Sequence, residues 1–118
     1  MNSEKHQELR TRSKAFALRV IRMSQALPRN REANVIIQQV LRSATGMTAN
    51  YRAAGRSRSK AEFIAKIGVV VEEADETVFW LEMLADSGIV RAEKLESLLA
   101  EATQLVAIFT ASRKTAKS

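Results

Sequence analysis

Leu9, Ser13, Phe16, Val20, Met23 and Leu27 step along the chain by 4, 3, 4, 3 and 4 residues. A helix, at about 3.6 residues per turn, gathers that spacing into one stripe, whereas a strand alternates its faces every second residue. The pattern recurs three times. A second stripe runs through Ala33, Ile36, Ile37, Val40, Leu41, Ala44, Met47, Thr48 and Tyr51. A third takes in Phe63, Ile67, Val70, Ala74, Val78, Leu81 and Ala85, and a fourth Leu95, Leu98, Leu99, Ala102, Leu105, Val106 and Phe109. Four amphipathic segments in 118 residues, with only one proline and four isolated glycines in the whole chain, specify an all-α chain.

The breaks have helix-end chemistry. Pro28 stops the first segment, since the residue before a proline leaves helical geometry. Asn30 is a capping residue for the second, and Gly55 ends it. Ser59 and Glu62 have the spacing of a capping box for the third, which Asp86-Ser87-Gly88 closes. Helices are therefore expected at about 4–26, 31–54, 60–85 and 91–113, with the basic tail "RKTAKS" frayed. Short connections make neighbouring helices antiparallel, so residues 1–118 read as one up-down-up-down four-helix bundle. Gly46 lies inside the second helix at a cost of about 1 kcal/mol, which close approach of another backbone would offset.

Most chemistry is excluded. Without cysteine there is no disulfide and no thiolate ligand, which suits a reducing cytoplasm. His6, the only histidine, sits in a polar leader and is expected to be solvated. The carboxylates of "EEADE", 72 to 76, lack the histidines of a di-metal bundle and are expected to pair with basic residues of the first two helices. Isolated glycines make no phosphate loop, and Ser57 and Ser59 have no histidine partner. The expectation is no enzyme, no metal and no cofactor. The polar N-terminus carries no signal peptide, and the aliphatic run Val69 to Val71 is far too short for a bilayer, so a cytoplasmic chain with no membrane role is expected.

Charge is unevenly placed. Residues 1–60 carry 13 Lys/Arg against 3 Asp/Glu, while residues 61–118 carry 6 against 10, within a net charge of +6. The stretch "RSATGMTANYRAAGRSRSKAEF", residues 42–63, sets Arg42, Arg52, Arg56, Arg58 and Lys60 ahead of its first acid, Glu62. These five are the candidate contacts to the phosphates of RNA or DNA, with the first helix's arginines as a second patch. No aromatic residue is interleaved, so the expected binding is backbone-directed and salt-sensitive. The other readings are a solvated turn, basic helices matched to acidic ones within the bundle, or a protein-interaction scaffold meeting an acidic protein with no nucleic-acid role.

The third helix has a second apolar face. Val69, Phe79, Trp80 and Met83 lie off its main stripe, as do Leu18 and Ile21 on the first helix and Ile108 on the fourth. Such residues suit an oligomer interface. The alternative is a wide stripe wrapping the core, or scattered surface apolar residues.

Several motifs together resemble a known family. They are Leu41-Arg42-Ser43-Ala44, Asn50-Tyr51-Arg52, Ser59 with Glu62-Phe63, and Glu73-Ala74-Asp75-Glu76-Thr77 running on to Trp80-Leu81. In order and spacing, over roughly residues 9–110, the chain resembles the bacterial four-helix bundle proteins encoded by intervening sequences within 23S ribosomal RNA genes. It departs at Gly46, where many members have Ser, and at Ala53, where many have Glu. The resemblance implies a homopentameric barrel with a central channel and no catalysis. It also implies kinship with the accessory proteins of diversity-generating retroelements, and hence a reverse transcriptase and its RNA as partners.

Overall fold

The computed structural model describes residues 3–118, which form four helices joined by short turns. These are α1 (Ser3–Gln25), α2 (Arg31–Ala54), α3 (Lys60–Asp86) and α4 (Ala92–Lys117). The molecule is a rod of 44 × 22 × 20 Å. α2 and α3 pack most extensively, then α3 and α4, then α1 and α2; the α1–α4 seam is the loosest, and diagonal helices keep their backbones apart and touch only through side chains such as Tyr51 and Phe109. Cross-helix contacts pair His6 with Tyr51, Ser13 with Thr48, Arg42 with Glu76, Lys60 with Ser118 and Arg12 with Glu101.

The stripes read from spacing form the core. Phe16, Val20, Val40, Met47, Ile67, Val70, Leu81, Leu95, Leu105 and Phe109 are all at most 1% exposed. Truncating one of the larger of these to alanine costs on the order of 3–5 kcal/mol, through lost transfer energy and the cavity left behind. Two further residues of α3, Thr77 and Leu84, are also fully buried. Thr77 earns its place by hydrogen bonds: its hydroxyl lies 2.9 Å from Ser43 Oγ and donates to the Glu73 carbonyl at 2.8 Å.

The helix ends follow local chemistry. Asn30 Oδ1 accepts from the Ala33 amide at 2.9 Å, and Ser59 Oγ accepts from the Glu62 amide at 3.1 Å. The second half of the expected capping box is replaced, because the Glu62 carboxylate turns to Lys66 at 3.7 Å. Gly88 has φ +78°, the left-handed region that glycine enters without steric cost. Gly55 ends α2 for a different reason: its φ is an ordinary −65°, and its missing side chain makes room for the His6 ring.

Two expectations need correction. The tail "RKTAKS" is not frayed, for α4 stays helical to Lys117 and lies beside α3. Lys60 Nζ donates to the Ser118 carbonyl at 3.3 Å, and a β-carbon on Gly68 would stand 3.3 Å from Arg113 Nε. The gap that Gly46 leaves is filled by a side chain, not by a neighbouring backbone: the nearest atom to a β-carbon there would be Glu73 Oε2, at 3.0 Å.

Candidate functional site

The α2–α3 turn, the start of α1 and the last turns of α4 share one end of the rod. The end is cationic because each element contributes. Arg52, Arg56, Arg58 and Lys60 come from the turn and its flanks, and all four are exposed. Arg113, Lys114 and Lys117 join them from α4 and are also exposed. Among the described residues, Arg52, Arg56 and Arg58 make no ion pair.

Arg42 differs from the other four sequence-derived contacts. It stands farther along α2, its guanidinium 3.3 Å from Glu76 and 3.7 Å from Glu73. The acidic run of α3 thus meets a basic residue of α2, as the sequence reading expected. Glu73 Oε2 is buried and has no hydrogen bond, since 3.7 Å to Arg42 is too long for one. Burial pushes the Glu73 carboxyl above its usual range, against the opposing pull of Arg42. On the first helix, Arg12 is likewise engaged: it forks onto both Glu101 oxygens at 2.8 Å and reaches Gln104 at 2.7 Å. That paired, hydrogen-bonded geometry holds the Glu101 carboxyl below its usual range. Arg19 donates to Ser97 at 2.6 Å. The first-helix arginines are therefore partly committed to holding α4.

The structure corrects the reading of His6. It is not solvated: only 7% of it is exposed, with its ring stacked on Tyr51 at 4.4 Å between centroids. Tyr51 in turn packs on Phe109 at 4.8 Å. Neither His6 nitrogen has a hydrogen-bond partner among the described residues, and the buried hydroxyl of Ser57 has none either. Burial, with Arg10 adding repulsion, lowers the His6 pKa below its ordinary 6.5. Burial also lifts the Tyr51 phenol to about 12.

His6 and Ser57 both line a cleft of about 1020 Å³, where the loose α1–α4 seam opens at the cationic end. Leu9, Tyr51, Phe63 and Ile108 give it apolar walls, and Lys60 stands on its lining. Aromatic rings thus stand beside the basic turn, although none is interleaved with its arginines in the chain. α1 brings His6 and α3 brings Phe63. A second depression, of about 410 Å³ on the outer side of α1 around Gln7 and Thr11, has no buried polar atom without a partner.

The second apolar face is divided. Val69 and Phe79 are 41% and 50% exposed, whereas Trp80 and Met83 lean partly into the core. The Phe79 and Trp80 rings meet edge to face at 4.9 Å. Leu18 is exposed, while Ile21 and Ile108 are half-buried. No group of histidine, cysteine, aspartate or glutamate among the described residues is arranged to hold a metal ion. No described helix is long and apolar enough to cross a membrane.

This arrangement belongs to the all-α four-helix proteins. Its relatives among solved structures include a protein of unknown function from the S23 ribosomal protein family of Bacteroides thetaiotaomicron. That crystal structure superposes with a TM-score of 0.85 at 31% sequence identity, over 93% of this chain and 98% of the other. The family model described as 23S rRNA-intervening sequence protein matches residues 5–111, and the chain belongs to that family. No curated protein matches it.

Proposed function

We propose that the protein is a non-catalytic, homo-oligomeric bundle that binds RNA or DNA by its cationic end. The observation that carries this reading is the set of exposed arginines with no carboxylate partner, Arg52, Arg56 and Arg58, gathered with Lys60 at one end of the rod. Surface arginines normally cost little to pair when acids are near, and the α3 acids that reach α2, Glu73 and Glu76, go to Arg42 instead. Cations left unmatched attract polyanions, and phosphate is the anion a guanidinium fork fits best. Arg42, its charge already answered, is a weaker contact than the other four.

The finer architecture belongs to the same proposal. The helices alternate in direction, up-down-up-down, a reading supported by cross-helix partners such as Ser13 with Thr48 and Arg12 with Glu101. Copies associate through the face around Phe79, and membership of the family favours a pentameric barrel. Five copies would carry five times the +6 charge and act together on one strand. The chain is, in the same proposal, kin to retroelement accessory proteins, with a reverse transcriptase and its RNA as partners in the cytoplasm.

Binding of a labelled RNA measured against salt tests the core of this reading. Affinity is expected to fall steeply as salt rises, by several counterions' worth of slope. Replacing Arg52, Arg56 and Arg58 together with Gln is expected to weaken binding about tenfold or more and to flatten that slope. Unchanged affinity would discard this end as the grip. Retention of an acidic protein with no retention of RNA would favour a protein-interaction scaffold.

A further inference from the structure

The cleft at the cationic end holds two features that phosphate binding leaves unused: its apolar, aromatic walls and its buried polar atoms without partners. Buried polar groups in folded proteins nearly always have a hydrogen-bond partner, and leaving one without costs about 1–3 kcal/mol. Three such atoms, His6 Nδ1, His6 Nε2 and Ser57 Oγ, belong to residues lining one cleft; Nε2 is lodged against Gly55, so His6 Nδ1 and Ser57 Oγ are the two left for a ligand. A neutral imidazole offers one donor and one acceptor, and a hydroxyl offers both. Leu9, Tyr51, Phe63 and Ile108 are the large apolar and aromatic members of a lining that also carries Glu8 and Arg12. A flat, apolar-faced group edged with both donors and acceptors matches this lining, and a nucleobase is such a group.

The position strengthens the match. Ser57 lies between Arg56 and Arg58 in the chain, and Lys60 lines the same cleft. A nucleotide whose base enters between α1 and α4 would leave its phosphate at the turn. We infer that the cleft is a nucleobase pocket adjoining the phosphate grip, and that the protein therefore prefers single strands to duplex. This rests on the nucleic-acid reading above, and the two fail differently. A grip for phosphates alone favours duplex, which carries the denser charge. A base pocket reverses that order, because paired bases are stacked and out of reach.

The test compares the full chain's affinity for a short labelled single-stranded RNA and for the same RNA annealed to its complement. The single strand is expected to bind about tenfold tighter or more, the typical worth of one well-held base. Filling the cleft with Ala111→Trp, or removing the ring nitrogens with His6→Leu, is expected to bring the single strand down to the duplex level. Circular dichroism and the melting midpoint check that each variant is folded. Should one variant fail to fold, the other and the wild-type strand preference still decide. Competition by free adenosine monophosphate would assign the pocket to strand ends and mononucleotides; a kept strand preference without competition would assign it to bases within a strand. Duplex binding as well as or better than single strand, or folded variants that keep the preference, would overturn the pocket while leaving the phosphate grip intact. If neither RNA binds, both readings fall.

Discussion

At the scale of single residues, His6 and Glu73 are the places where burial and charge conflict. The His6 pKa is lowered in the folded chain, so the unfolded chain takes up the proton first as pH falls. Its contribution to stability is full above about pH 6.5 and declines below it, towards the folded value. Glu73 has the opposite sign: with its pKa raised, the folded state gains stability as the carboxyl protonates. Comparing variants separates the two. Thermal melts from about pH 7 down to about pH 5 should show a falling midpoint, and His6→Leu should make that fall shallower. An identical slope in the variant would show that the imidazole titrates as freely folded as unfolded. At Gly46, serine is expected to raise stability by about 1 kcal/mol, from relief of a mid-helix glycine and a hydroxyl offered to Glu73 Oε2. The obstacle is only the end of a flexible side chain, at 3.0 Å from the new β-carbon. A lower denaturation midpoint for Gly46→Ser would mean the Glu73 carboxylate has nowhere to go.

Among the elements, the junction of α1 with α2 is the least forgiving. The His6 ring fills the place where a β-carbon on Gly55 would stand, and the ring is held there by Tyr51. Gly55→Ala is expected to cost about 1–3 kcal/mol by overpacking, measured by urea denaturation. Adding His6→Ala should recover part of that loss, so the two changes are not additive. Strict additivity would show that the ring and Gly55 are not coupled. This junction also marks what could be read from sequence. The stripes were legible because helical spacing alone decides which residues share a face. His6 was not, because its burial depends on the start of α1 meeting the end of α2 across the molecule. The tail of α4 was misread for a related reason. Its lysines, arginine and alanine are good helix formers, and contact with α3, of Arg113 beside Gly68 and of Ser118 with Lys60, tips them into order. Of the candidate contacts, the turn cations were legible as a local charge run. That the acidic run of α3 would meet a basic helix was legible, but not that Arg42 would be the residue it meets, and the cleft beside the turn needed all four helices to converge.

For the whole molecule, the exposed rings decide between a solitary rod and an assembly. Phe79 is half exposed with Trp80 at its edge, and a single copy leaves both partly in water. Changing Phe79 to Glu is expected to lower the mass measured by light scattering to that of one chain, with helix content retained. Met83→Glu should act in the same direction, more weakly and with some loss of stability, because Met83 leans partly on the core. A mass that never exceeds one chain in the unaltered protein would make this face ordinary surface.

The uneven seams also set how the rod comes apart. α1 is fastened chiefly along one side, while α3 is flanked by two extensive partners. On gentle warming, the first helix should peel away while the remaining three stay zipped together. Amide protons of α1 would then trade with solvent sooner than those buried in α3. Anything lodged between α1 and α4 would act as a clasp, slowing that loss at both edges of the gap.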